Sequence, residues 1–510
     1  MSINNSDIAL NRAARKRKQQ ELRERKKQQG KNYPPTQTLP NRKCSSKTPE
    51  EEQQMIQLTI EEKIKVYGRL LPGLLKKLGK IPDPRSPKKV RHKITVLMIY
   101  GIFMFVFQMT SRRKTNQGMT GPQLLENLRG IYPELEDMPH QDTLCRLLEK
   151  IEVEQIKKTY VGLLKKLIRN KMFQDLLYNK RYLVAVDGTQ KYTMKEQWDE
   201  KYLRRKIKGS GGEYQYYAYV LEAVLVFSNG MVLPLASEFL ENSKELEAIE
   251  KYEDWKQDCE IKAFHRLTKQ LKKHFPKLPM TLLLDGLYAN GPVLEACRRN
   301  KWQFMIVFKD KSLPSVWKDV NGLLSLDASR DFTHVQIWKG RDQHFRWVND
   351  IEYNYGLNDS KVQTVHVVIC EERWEEVNKE GQIEMQASRY AWISSTPINQ
   401  KNVHERCNLY ARNRWLHENN ILKEKHQGYQ YEHIFSYDWD AMKGYHYLMH
   451  IARLVNEMAL HMESLHDHVK EVGIQGFITK IYRVMSERSL DTDRIRNLIK
   501  SKYQLRLVCG

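Results

Sequence analysis

"PMTLLLDGLYANGPVLEACRRNKWQFMIVFKD", residues 279–310, reads as a strand, a turn, a helix and a second strand, the order of a βαβ unit. Asp285 closes the first of these strands. In open α/β sheets ligands gather at the carboxyl ends of strands, so the stretch both sets the fold class as α/β and offers a first candidate site residue.

Toward the N-terminus, "RYLVAVDGTQ", residues 181–190, is a short apolar run ending in Asp187. A basic segment containing "KYLRRKIKG" follows, and then "YQYYAYVLEAVLVFSNGMVLPLASEFLE", which reads as two strands joined by an "SNG" turn. Together these predict a three-stranded antiparallel meander with Asp187 on its first strand, followed by a helical stretch over 243–275. Toward the C-terminus, "THVQIWKG", "HFRWVNDIEY", "VQTVHVVICEERW" and "SRYAWISS" alternate with a period of two, predicting an inserted all-β module over 312–400. From residue 404 the pattern is helical again, through "GYHYLMHIARLVNEMAL". No internal repeat is visible.

Residues 51–178 return apolar side chains every three or four positions, with an interruption at Pro72 and a basic linker "PDPRSPKKVRHK", as a small helical domain with cationic surfaces would. Ahead of them, "NRAARKRKQQELRERKKQQGK" has many cations and few apolar groups. Such a segment is expected to be a disordered or induced-helix arm over residues 1–50, either a solubilising tail or a phosphate-binding element. The predicted organisation is this arm, a helical DNA-binding domain (51–178), a core in two parts (179–311 and 401–465) around the all-β insertion (312–400), and a helical C-terminal region (466–510).

The 510-residue chain carries a formal net charge of +23, which favours a polyanionic partner, nucleic acid first. Seven cysteines without a C-x-x-C pair argue against a cysteine zinc site and against a disulfide framework, and suit an intracellular protein. "ITVLMIYGIFMFVFQM", residues 94–109, falls short of the ~20 apolar residues that span a bilayer and is expected to be a buried helix, so no membrane partner is implied. No G-x-x-x-x-G-K-[ST] loop suggests an ATP site.

In "RNRWLHENNILKEK", residues 412–425, Arg414 lies four residues before Glu418 and Lys425 seven after it, offsets that share one face of a helix. Taken alone this is an ordinary ion-pair stripe. Two aspartates at strand ends change its weight, because half-buried carboxylates are costly unless they are paired or hold a cation. Asp187, Asp285 and Glu418 together would suit Mg2+ or Mn2+, and two such ions promote phosphoryl transfer.

The pattern resembles bacterial insertion-sequence transposases of the DDE class, whose RNase H-like core carries Asp on the first strand, Asp on the fourth and Glu on a later helix. "VDGT" matches at Asp187 and "LLLDGLYANG" at Asp285, with Gly286 and Tyr288. One cut-and-paste branch has the signature Y-x2-R-x3-E-x6-K and an all-β insertion; here Arg414, Glu418 and Lys425 fall at its spacings, while Tyr410 stands one residue ahead of the signature position, which is Ala411. The resemblance implies an RNase H-like mixed-sheet core, two Mg2+ or Mn2+ ions on Asp187, Asp285 and Glu418, and Arg414 and Lys425 on DNA phosphates. Glu424, the neighbouring acid, fits neither the spacing nor the face. It further implies double-stranded DNA as partner, excision through a hairpin, a homodimer holding two transposon ends, and a cytoplasmic, nucleoid-associated location. Lys201, Arg204, Arg205, Lys206 and Lys208 are candidates to track the DNA backbone, although a solvated loop has the same composition. Trp338, Trp347 and Trp392 are candidates to stack on a flipped base, against the ordinary reading of Trp in β structure as core. A nuclease of the same fold that only cuts, and a domesticated transposase that only binds DNA, are the alternatives.

Overall fold

The computed structural model describes residues 5–29, 44–207, 209, 211–242, 259–326, 331–378, 381–426 and 428–509. Lys208 and the first part, 243–258, of the helix expected over 243–275 therefore lie outside the described residues. The fold is mixed α/β, and the chain divides into two compact units, a larger one of residues 39–279 with 415–510 and a smaller one of 1–38 with 280–414.

In the smaller unit, α1 (Asn5–Gln28) packs on the long strand Lys361–Val377. In the larger unit α2 (Pro49–Leu78) starts at a Thr48 cap whose side chain accepts the Glu51 N–H, with glutamates at 50–52 on the positive end of the helix dipole. It runs through Pro72 without ending there. The helices Val153–Arg169, Trp439–Leu460 and Thr492–Lys500 flank and hold it, so packing outweighs the one hydrogen bond that proline removes. The apolar run folds as α3 (Ile94–Val106), buried at every residue but Thr95. Among the described residues no helix is long and apolar enough to cross a membrane. Short helices α4 (Arg112–Met119), α5 (Pro122–Ile131) and α6 (Gln141–Leu148) lead to α7 (Val153–Arg169). The C-terminal helices α12 (Trp439–Leu460), α13 (His466–Glu487) and α14 (Thr492–Lys500) pack back onto this bundle, α12 against α3 and α14 against α2. At Gly101 a Cβ would stand 2.8 Å from methyl groups of Leu144 on α6 and Leu448 on α12, so the missing side chain is what lets the three helices close.

The larger unit's strands are β1 (Tyr182–Met194), β2 (Leu203–Lys206), β3 (Tyr214–Val226) and β4 (Val232–Leu240). All pairings are antiparallel around a central β3, with β1 along one edge and β2 and β4 along the other. The β3–β4 turn is the "SNG" segment, with Gly230 at φ +82°. One face of this sheet is covered by α8 (Glu260–His274), the other by α11 (Trp415–His426) and α12.

The smaller unit contains the βαβ unit, β5 (Met280–Leu284), α9 (Gly291–Arg299) and β6 (Gln303–Val307), with β5 and β6 parallel. Then come α10 (Pro314–Leu326), β7 (Thr333–Trp338), β8 (Arg341–Tyr355), β9 (Lys361–Val377) and β10 (Ile383–Ser394). The segment expected to be all-β thus opens with a helix, because Val316, Trp317 and Val320 bury one helical face. Nor is it a separate sheet: β10 pairs antiparallel with β6, Trp392 opposite Val307, giving the order β5-β6-β10-β9-β8-β7.

Candidate active-site carboxylates

Asp187 lies on β1 directly opposite Glu222 of β3, which in turn faces Ser237 of β4. Directly opposed residues of antiparallel strands project to one face. That face is the one on which α11, the helix bearing Glu418, packs against β1. Asp187 and Glu418 are both half-buried. Asp187 Oδ1 accepts the N–H of Gly188 at 3.0 Å. On the opposite face, a Cβ at Gly188 would stand 2.6 Å from Tyr219 Oη and 2.7 Å from the Glu260 carboxylate. The glycine of "VDGT" sits inside β1 rather than in a turn, and a side chain there would push these two side-chain ends aside. Burial, then the hydrogen bond to Glu260 and the charges of Glu260 and Asp187, raise the Tyr219 hydroxyl far above the ordinary phenol range, keeping it protonated.

Asp285 follows β5 in the smaller unit, and Lys309 follows the parallel β6, so both stand at the same end of the βαβ unit. Lys309 Nζ lies 3.0 Å from Asp285 Oδ2. Burial pushes the Asp285 carboxyl up, but the hydrogen bonds from Lys309 and Gly286 and the charges of Lys309 and Arg414 outweigh it and hold the group below its ordinary value. Lys309 was not singled out in the sequence. Its signal is positional: Asp285 comes one residue after β5 and Lys309 two after β6, and parallel pairing brings those two strand ends together.

The segment expected as one uniform helix has three pitches. Residues Glu405–Tyr410 form a π-helical turn, Ala411–Arg414 a 3-10 turn, and α11 starts at Trp415. Arg414 is 6% exposed and its turn packs on β5 and β6, beside Asp285. Arg414 and Asp285 therefore belong to the smaller unit, and Asp187 and Glu418 to the larger. Tyr410 is buried, with the Arg406 guanidinium 5.5 Å from its ring centre. Lys425 shares the Glu418 face of α11, two turns on, and pairs with Glu432 at 3.0 Å. Glu424 points into the core, paired with Arg453 and with Asn420 Nδ2 at 3.2 Å. Burial raises its carboxyl to about 7, against the pull of Arg453.

Among the candidate DNA contacts, Lys201 lies in the turn before β2, where its N–H bonds Asp199. Arg204 and Arg205 lie on β2, stacked over Tyr214 and Tyr217 at 5.1 Å each, and Lys206 is exposed at its end. Trp392 and Trp347 are 4% and 3% exposed, which makes them core rather than open stacking faces. Trp338 is half-buried. The Arg412 guanidinium stands between these rings, 4.4 Å from Tyr390, 5.3 Å from Trp338 and 5.7 Å from Trp392.

Residues 75–163, from the end of α2 through α7, match the protein-family model described as DDE_Tnp_1-associated. The match points to the DDE transposase family. No curated protein matches the chain.

Proposed function

We propose that the protein is a DNA transposase that frees an insertion sequence from donor DNA and joins it to a target. The reading is carried by the DDE_Tnp_1-associated match at residues 75–163, just ahead of a strand bearing Asp187, with Asp285 and Glu418 following in the order the DDE class uses. In this reading β1 to β6 with α11 form an RNase H-like core, and the helices of residues 51–178 bind DNA.

Asp187, Asp285 and Glu418 are the proposed ligands of two Mg2+ or Mn2+ ions. The donor set fits these hard cations: all three are carboxylates, Asp187 and Glu418 are half-buried rather than sealed, and Asp285 is held ionised. When bound, such ions activate the attacking oxygen and neutralise charge on the leaving one. Around them, Lys309 keeps Asp285 ionised and, with 59% of its side chain exposed, can turn its ammonium to a phosphate. Arg414 adds a fixed positive charge beside Asp285. Lys425 exchanges Glu432 for a DNA phosphate, and Lys201, Arg204, Arg205 and Lys206 follow the backbone without reading sequence. Trp338 stacks on a displaced base. The freed 3′-hydroxyl attacks the opposite strand to form a hairpin, and a homodimer holds the two ends.

The test is cleavage and joining of a duplex carrying the element's flanking end, with Mg2+ or EDTA. Asp187→Asn, Asp285→Asn and Glu418→Gln each lower cleavage by roughly 10²-fold or more while leaving the gel shift intact. Cutting without joining identifies a nuclease instead. Equal binding by all four proteins with no cutting identifies a DNA-binding protein.

A further inference from the structure

The core of the larger unit holds ionisable side chains that the transposition chemistry leaves unused. Glu222 of β3 is 0% exposed, and His446 and His450, one turn apart on α12, are 2% and 1% exposed. Each imidazole Nε2 lies 3.5 Å from Glu222 Oε1. Among the described residues neither Glu222 Oε2 nor His450 Nε2 has a hydrogen-bond partner, although both atoms are closed off from solvent. Leaving such groups unsatisfied in a core is costly, so a core that keeps both asks for a ligand.

We propose that Glu222, His446 and His450 form a zinc-class cation site that ties α12 to β3. Zinc takes nitrogen and carboxylate ligands at about 2.0–2.2 Å in a tetrahedron, whose edges are then about 3.4 Å long. The two Nε2–Oε1 separations of 3.5 Å are close to that edge, and all three ligand atoms lie within 4.8 Å of one another. Such a metal takes its histidines as neutral imidazoles and its carboxylate ionised. Tyr431 Oη, 2.8 Å from Glu222 Oε1, and Ser237 Oγ, 3.0 Å from His446 Nε2, border the fourth position.

Two cations stand nearby, and the site has to accommodate them. Arg453 is matched by Glu424. Lys191 Nζ lies 3.5 Å from His446 Nδ1, on the other side of that ring. Because Glu222 faces Asp187 across β1 and β3, the cation would brace the strand pair that carries the proposed catalytic aspartate.

The full chain, expressed with zinc and dialysed against metal-free buffer, is analysed for bound metal, and its Co2+-loaded form for visible absorption. One zinc per chain is expected in the wild type and in Asp187→Asn, with loss of the metal in His450→Gln and a lower melting temperature of the wild type after chelation. Retention by Asp187→Asn separates this site from the transposase carboxylates, and no readout depends on DNA cleavage. A wild type without zinc, or a His446→Gln/His450→Gln double variant that keeps a full equivalent, overturns the proposal. Should the variants fail to fold, the wild type decides: intense tetrahedral Co2+ bands support the site, and weak octahedral ones or none refute it.

Discussion

Asp285 and Glu372 are both acids held by cations, and burial separates what they can do. The Asp285 side chain is 29% exposed, and its partner Lys309 reaches into solvent. Such a pair exchanges partners at little cost, as a ligand-binding carboxylate must. Glu372 on β9 is sealed at 0%, where it accepts from Arg341 Nη1 at 2.9 Å and from Gln343 Nε2 and Arg412. Arg412 itself stands against Tyr390, Trp392 and Trp338, with 15% of its side chain exposed. Glu372→Ala is expected to destabilise the smaller unit by about 3 kcal/mol, since it strands a largely buried guanidinium and an amide. Urea unfolding followed by tryptophan fluorescence reads this directly, because Trp338 and Trp392 flank the lost charge. A midpoint equal to wild type would mean that Arg412 is held by its aromatic neighbours alone.

At the scale of elements, α1 shows how a polar segment finds a place. Composition alone leaves residues 1–50 with too few apolar groups to fold. Yet Arg15, Gln19, Leu22 and Lys26 recur at helical spacing and form its less exposed stripe, with Leu22 4% exposed and Arg15 bonded to the Val377 carbonyl. Arg25 pairs with Glu375 at 2.7 Å, and β9 supplies Glu371, Glu372, Glu375 and Glu376 along one acidic strand. An exposed ion pair is worth at most about 1 kcal/mol, whereas burying a leucine contributes about 2, so Leu22 is the anchor. Leu22→Asp should release α1, seen as several-fold faster trypsin cleavage within residues 12–28, and Glu375→Ala should change the rate far less. The reverse order would make charge the dominant tie. A second element, residues 405–426, passes through π, 3-10 and α pitch within a few turns. The spacing of Arg414, Glu418 and Lys425 is legible in the sequence, but the change of pitch is not, because it depends on Tyr410 and Arg406 being packed inside the smaller unit.

At the scale of the whole molecule, buried cations make stability depend on pH. Lys63 on α2 is 1% exposed and donates to Asn456 Oδ1 at 2.8 Å. Burial pushes its ammonium down to about 7, against the charge of Glu457. Unfolded, it keeps its proton up to its ordinary 10.5, so between those values the unfolded chain binds the extra proton and stability rises with pH by at most about 1.4 kcal/mol per unit. Lys191 contributes in the same sense mainly above pH 8, and Glu424, whose buried carboxyl is raised to about 7, acts in the opposite sense at the lower end, so the comparison with a Lys63 variant over pH 7–8 is what isolates Lys63. Lys63→Met should abolish the rise of the urea midpoint over that interval, and a rise undiminished in the variant would mean that Lys63 is not buried neutral. Local chemistry in the chain specified much of this protein: the α/β class from the βαβ stretch, the SNG turn, the buried α3, and the candidate acids at Asp187, Asp285 and Glu418, because strand runs, turn residues and helical spacing act over a few neighbours. Long-range packing settled the rest. Lys309 reaches Asp285 only because β5 and β6 pair in parallel, β10 joins the insertion to the βαβ sheet, and Glu222 meets His446 and His450 across more than two hundred residues. Those contacts are set by which surfaces bury against each other, and no spacing along the chain encodes them.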